Sequence, residues 1–414
     1  MALTDADRLQ IVSMALMRYS TITTGSAVDI PQVPVLFVGT IDSYYPIDHC
    51  EYLCDGVDDQ VEINAAIAAL PYGGVVLLGE GNFYLSAPIV LDDENISIIG
   101  MGRQATFLIR DWISTIYEGL INCNGASTSV ISGIYFANSP DVELESTYNE
   151  CIDIYGAIDI IVADCEFYSS HARNSHIFIS YADQIRLKNN KFSGDGYAPA
   201  IGLYSIGGAV YITENNFQNY AQASGIINST DYTQYLFIQN NLFNTGTSGK
   251  DLVIIDAIYD LTITNNHFSN PIEIAAAATD SEGINISGNF ISFSRAEPKI
   301  ILTNLQGATI SNNKSVGKTG INIQASGLTR CSIANNTIAE SWSSPGVTTD
   351  LSIANSTELA IAGNVMYKTG GFQAADNSIY LDTVTNSTVT GNVSYGKAVV
   401  EVNCTGNTLA NNIA

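Results

Sequence analysis

The 414-residue chain carries 41 acidic against 16 basic side chains, a formal net charge of −25, yet only 14% of its residues are charged. That balance excludes nucleic acid and anionic membrane surfaces as partners, because neutralising phosphate requires lysine and arginine in number. With 46% hydrophobic residues the chain is globular, and its polar surface must come mainly from Asn, Ser, Thr, Gly and Tyr.

The first segment, "TDADRLQIVSMALMRYS" at 4–20, has a Thr/Asp cap and an apolar face at Leu9, Val12 and Leu16, so it reads as a helix. "IPQVPVLFVG" follows as an extended, proline-containing stretch. Residues 1–50 fit no repeat and are set apart as an N-terminal docking or capping segment; residues 51–414 form the second unit. No basic n-region with an adequate h-region opens the chain, and no run approaches 18 apolar residues, so neither a signal peptide nor a membrane span is expected. Seven scattered cysteines read as reduced thiols of a protein made in a cytoplasm. "HCEYLC" offers His49, Cys50 and Cys54, but no second pair follows at zinc spacing, so no metal is expected there.

Asp58 and Asp59 next introduce the amphipathic "QVEINAAIAAL", which Pro71 and Gly73-Gly74 stop; this predicts a capping helix over about 58–70. "VVLLG", "NFYLSAPIVL" and "ISIIGMG" then supply short strands. From there one phrase keeps returning: "LKNNKF", "ITENNF", "IQNNLF", "ITNNHF", "ISGNFI", "ISNNKS" and "IANNTI". Its asparagine recurs at 190, 215, 241, 266, 289, 313, 336, 364 and 392, that is every 23–28 residues, and again at 412. Two residues beyond the equivalent position stand Phe136, Phe167, Phe192, Phe217, Phe243 and Phe268. A second alternating segment, such as "CIDIY", "HIFIS" or "LVIID", precedes each phrase by about 13 residues. A period of this length with short strands means a solenoid. Stacked coils at ~4.8 Å would turn the phenylalanines into an internal column and the asparagines into a ladder. The fold class expected is all-β, a parallel β-helix with coils of about 22–28 residues.

At this point "CDGVDDQVEINAAIAALPYGGVVLLGEGNFYLS" followed by "ISIIGMG" resembles the N-terminal module of the pectate-lyase-like superfamily of right-handed parallel β-helices. The resemblance spans roughly 50–414 and implies the fold. Such a module is found in phage tailspikes, polysaccharide lyases and epimerases, and for tailspike-like chains the resemblance also implies a homotrimer. It does not choose among their chemistries. No "DPHE"-type epimerase sequence and no arginine–lysine set like that of pectate lyases is present.

The chemistry-bearing residues concentrate between 148 and 204. Asp153, His176 and Arg173 are the candidate catalytic set, able to abstract a proton from a uronic acid. Tyr155, His171, Tyr181, Tyr204 and, further on, Trp342 are the candidate sugar-binding set. The outward column of the second strand is expected to hold Asp153 and Glu273, with Ile227, Ile254, Asn322 and Glu401 among its members. Asp153 and Glu273 then stand about five rungs apart, on the order of 24 Å, too far for the paired carboxylates of a glycosidase. The acidic loop "SPDVELESTYNE" at 139–150 is a conceivable Ca²⁺ site, though a solvated loop is the plainer reading and no cofactor is assigned.

Three functions fit this inventory. The leading one is a homotrimeric viral tailspike-like protein, assembled in a host cytoplasm as part of a virion, that binds host surface polysaccharide, with depolymerase activity left open. Residues 1–50 would then meet other tail or baseplate proteins. The alternatives are a soluble polysaccharide lyase, hydrolase or epimerase, and a purely structural virion component.

Overall fold

A computed structural model describes residues 33–43, 50–113, 118–139, 150–169, 175–194, 199–218, 220, 225–244, 249–293, 299–317, 322–340, 349–368, 377–394 and 398–413. The helix expected within 4–20 and His49 lie outside these residues.

Short strands recur in threes and stack into three parallel sheets. Sheet 1 has sixteen strands, while sheets 2 and 3 have thirteen each. Every pairing is parallel and joins a strand to its equivalent one coil away, for example Ile185–Lys188 to Val210–Thr213. The expected β-helix is the fold. The strand Val35–Thr40, from the proline-containing stretch, joins sheet 1 between Tyr52–Cys54 and Gly74–Leu78. Among the described residues there is one helix, α1 (Gln60–Ala68), and it buries Ile63, Ala66 and Ile67. Asp59 fixes its start: the carboxylate accepts the Gly56 N–H at 2.8 Å and the Tyr84 N–H at 2.7 Å. Asn64 ties the helix to the first strand of sheet 3, donating to the Pro88 carbonyl at 3.2 Å and accepting from Val90 N–H at 3.0 Å.

Each repeat phrase divides two jobs between its paired residues. The first takes a left-handed turn: φ is +54° at Asn189, +57° at Asn240 and +57° at Asn265, a conformation that asparagine tolerates better than most residues. The second enters the core. Asn215 Oδ1 accepts the Asn190 N–H at 2.9 Å, and Asn215 Nδ2 donates to the Leu187 carbonyl at 2.9 Å. The same links run through Asn241, Asn266, Asn289, Asn313, Asn336, Asn364 and Asn392 to Asn412. A buried amide is satisfied at every turn, so the corner stays closed without water. The phenylalanine column also forms: successive ring centroids from Phe136 to Phe268 are 4.9, 4.8, 4.9, 4.6 and 4.8 Å apart, all stacked.

All seven cysteines are free, and five are buried. Burial pushes the Cys151 and Cys165 thiols up to about 12, so they act as small apolar fillers. Among the described residues no helix is long and apolar enough to cross a membrane.

Candidate functional site

Sheet 3 positions the residues of interest. Its strand Ile152–Tyr155 alternates inward Ile152 and Ile154 with outward Asp153 and Tyr155. In the next coil, the strand Ile177–Ser180 ends one residue before Tyr181, whose φ of +52° swings the ring outward. Tyr204 stands one coil further, in register with Ser180. The three rings meet edge to face: Tyr155–Tyr181 centroids are 5.6 Å apart at 70°, Tyr181–Tyr204 5.9 Å at 79°. They are 53%, 54% and 39% exposed. The structure thus gathers three of the five expected sugar-binding residues into one ladder along the solenoid axis. The other two, His171 and Trp342, lie outside the described residues, as do Arg173 and residues 140–149 of the acidic loop.

Past Tyr204 the corner between sheets 3 and 1 changes character. Three successive strands, Ile227–Gln234, Leu252–Tyr259 and Ile272–Glu282, continue around it without a break. Register slips between Tyr204 and Ile206 and between Asp256 and Ile258, so the corner bulges outward. On this bulge Asp231 and Asp256 lie side by side, the Asp231 N–H donating to Asp256 Oδ2 at 3.3 Å. Tyr181 and the Asp231 carboxylate push the Tyr204 phenol up from its ordinary value. The rings of Tyr232 and Tyr259 meet at 5.8 Å beside them. Sequence reasoning missed Asp231 and Asp256. The available signal was the length of these apolar–polar runs, which exceed a single rung.

The candidate catalytic residues fare differently. Asp153 faces outward between Asn122 and Phe178, and partial burial raises its carboxyl to about 6. His176 does not join it. That ring is 1% exposed, with centroids 6.2 and 6.3 Å from Phe167 and Phe192, and its Nδ1 lies 2.8 Å from the Tyr220 hydroxyl. Burial drives the imidazole down to about 4, so it is neutral. Proximity in sequence placed Asp153 and His176 on adjacent rungs correctly, but on opposite sides of the sheet they form no acid–base pair.

The outward column of sheet 3 also needs correction. Register places Asn228, Val253, Gln324 and Val400 where Ile227, Ile254, Asn322 and Glu401 were expected. In runs such as "GIINS" and "LVIID", adjacent apolar residues leave the alternation ambiguous by one position, and one position reverses the face. Glu273 keeps its place five rungs from Asp153 and contacts Lys250.

Two buried polar clusters complete the picture. Arg110 is fully buried and lies 3.9 Å over the Trp112 ring; its Nη2 donates to the Glu118 and Glu150 carbonyls at 2.8 and 2.7 Å. Burial lowers Arg110 to about 10 and raises Glu150 to about 7. At the other cluster, the ligand atoms of Cys54, Asp59 and Glu62 come within 4.8 Å of one another, the only such group among the described residues. Burial pushes the Cys54 thiol up, and both Asp59 oxygens already hold backbone N–H groups. Asp59 thereby ties the start of α1 to the preceding turn at Gly56 and to the strand of Tyr84, and Glu62 takes no part in these bonds.

Comparison with known proteins agrees with the architecture. Residues 251–414 match the family model described as the right handed beta helix region. No curated protein matches the chain in sequence. Among solved structures, a mutant tailspike protein of E. coli bacteriophage HK620, in complex with a pentasaccharide, is 11% identical, with a TM-score of 0.53 over 89% of this chain and 78% of that one. A second mutant of the same tailspike, also with a pentasaccharide, gives 12% and 0.52 over the same shares. The A-module of the Azotobacter vinelandii mannuronan C-5 epimerase AlgE6 is 14% identical over 86% of this chain and 96% of that one, at a TM-score of 0.35. At 11–12% identity the likeness to the tailspike concerns the fold alone: the chain folds as a parallel β-helix, and its residues 251–414 match the right-handed form.

Proposed function

We propose that this chain is a tailspike-like virion protein that binds polysaccharide on a host cell surface through the outer face of sheet 3. The Tyr155–Tyr181–Tyr204 ladder carries the reading. Water-exposed aromatic rings in a row offer apolar faces to the C–H faces of successive sugars. Rung spacing holds the rings at fixed intervals along a chain-like ligand. The fold likeness to a tailspike whose structure holds a pentasaccharide supports the same choice. On this reading the functional protein is a homotrimer, and residues 1–50 attach it to the rest of the particle.

Binding is favoured over cleavage within one chain. Asp153 faces the right way with a raised carboxyl, but its partner on the same outward column, Glu273, is five rungs off, on the order of 24 Å. Among the described residues no other carboxylate stands on that column within reach of Asp153.

Light scattering on a sizing column tests the assembly: the expected mass is about 133 kDa, three times 44.3 kDa, and a 44.3 kDa species would refute the trimer. Retention on immobilised bacterial surface polysaccharides tests binding. Loss of that retention in Tyr181→Ala and Tyr204→Ala, with circular dichroism unchanged, is the expected result, and retention equal to wild type would refute the ladder as the site.

A further inference from the structure

Resting on the polysaccharide reading above, we infer that the ladder takes an electrically neutral glycan and rejects polymers bearing uronate or sialate groups. The rings are bordered by carboxylates from end to end. Asp153 sits two residues before Tyr155 on the same face of the strand, and Asp231 directly follows Thr230, the residue in register with Tyr204. Asp256 lies against Asp231. Among the described residues the cations of this region are already engaged: Arg186, on sheet 1, contacts Asp159, and Lys250, on sheet 3, contacts Glu273. Arg110 is fully buried.

An anionic sugar stacked on these rings would bring its carboxylate within a Debye length, ~8 Å at physiological salt, of fixed negative charge, with no free guanidinium or ammonium among the described residues there to receive it. The net charge of −25 adds a long-range field of the same sign. A neutral glycan meets neither cost. Its hydroxyls are donors, and Asp153, Asp231 and Asp256 are acceptors placed beside the stacking surface. Specificity here comes as much from what the carboxylates repel as from what the tyrosines hold.

The test is a microarray of bacterial surface polysaccharides, sorted into neutral and uronate- or sialate-bearing members, probed with the full chain at 50 and 500 mM NaCl. Binding confined to neutral members, changing less than twofold with salt and falling at least tenfold in Tyr181→Ala, is expected. Binding to acidic members that drops tenfold between the two salt concentrations would overturn the charge class while leaving the polysaccharide reading intact. Binding to no member would overturn that reading as well. Asp231→Lys adds a gain-of-function arm: it should extend binding to acidic members at 50 mM NaCl, and its failure to do so would remove Asp231 from the site.

Discussion

The coils from 136 to 268 and those from 291 to 394 share one scaffold and fill it differently. In the first group a stacked phenylalanine occupies the inner column at every turn. In the second the same register holds Ile291, Ser315, Ile338, Met366 and Ser394. Where the aromatic filling ends, the column itself joins a polar cluster at the start of sheet 3. Lys299, 2% exposed, donates to Asn322 Oδ1 at 2.5 Å, Ser315 donates to the same oxygen at 2.8 Å, and Asn322 Nδ2 reaches Asp350 at 3.3 Å. Outside, the contrast continues. The tyrosine ladder belongs to the coils of Phe167, Phe192 and Phe217, whereas the same register of sheet 3 in the later coils holds Ser326, Ala354 and Asp382. The rung spacing is thus set by what both groups share, the asparagine ladder and the parallel pairing. The filling is free to vary, and the stiff aromatic version backs the surface that carries the tyrosines.

If the ladder is the common scaffold, breaking it should cost the same in both groups. Asn215→Ala removes donors to the Leu187 carbonyl at 2.9 Å and Asn241 Oδ1 at 3.1 Å, and the acceptor of the Asn190 N–H at 2.9 Å. Asn336→Ala removes the matching three at 2.9, 3.0 and 3.0 Å. Each change strands buried polar groups, at ~1–3 kcal/mol per group, so a loss of about 3–6 kcal/mol is expected for both in guanidinium unfolding. Unequal losses would show that the two halves are not held by one device.

Phe192→Ala should cost slightly less, ~3–5 kcal/mol, by opening a cavity between Phe167 and Phe217. It should also weaken polysaccharide retention, because Tyr181 belongs to the same coil. Loss of stability without loss of retention would uncouple the aromatic core from the aromatic surface.

How much of this was legible in the sequence follows from which forces leave a periodic trace. The asparagine ladder and phenylalanine column were readable because every coil repeats them. Helix α1 was readable from Asp59 and the Pro71 stop. The facing of Ile227 and Ile254 was not, since adjacent apolar residues make a one-residue slip invisible; Asn322 lies one residue before its strand, Ile323–Ser326, and is buried at the corner, so Gln324 takes the outward place. His176 escaped for a related reason: it precedes its strand by one residue, where a corner, not the pleat, decides direction. Arg110 is the instructive miss. Its alternation with Leu108 in "TFLIR" points it inward, against the usual place of arginine at the surface, and no periodic trace marks it out.

His176 gives the next effect in size and belongs to the aromatic-filled coils alone. The folded chain holds its imidazole at about 4, against an ordinary 6.5. An unfolded chain therefore takes up a proton below pH 6.5 that the folded chain refuses until about pH 4. The stability contributed by this neutral ring is present above pH 6.5 and lost as pH falls through that window, by roughly 3 kcal/mol in all. Glu150 and Asp153 act with the opposite sign, since their raised values of about 7 and 6 make their contribution greatest at low pH and lost as pH rises through those values. Comparing wild type with His176→Phe across pH 4–7 isolates the histidine. The variant should lose the acid-side decline, and an unchanged slope would place the proton uptake elsewhere.

Tyr181→Ala should be nearly silent in stability and decisive in binding. The ring is 54% exposed and touches Tyr155 and Tyr204 only edge to face, so its removal should change unfolding by no more than ~0.5 kcal/mol. Yet it is the middle rung, and without it the outer two rings no longer present a continuous surface to a glycan. The equivalent loss in the later coils has no counterpart, because the register of Tyr155 and Tyr204 holds Ser326, Ala354 and Asp382 there. A Ser326→Ala variant is therefore the matched control: equal retention for it and for wild type, with retention lost in Tyr181→Ala, would assign binding to the aromatic half of the solenoid, whereas a loss in both would spread the binding surface along the whole of sheet 3.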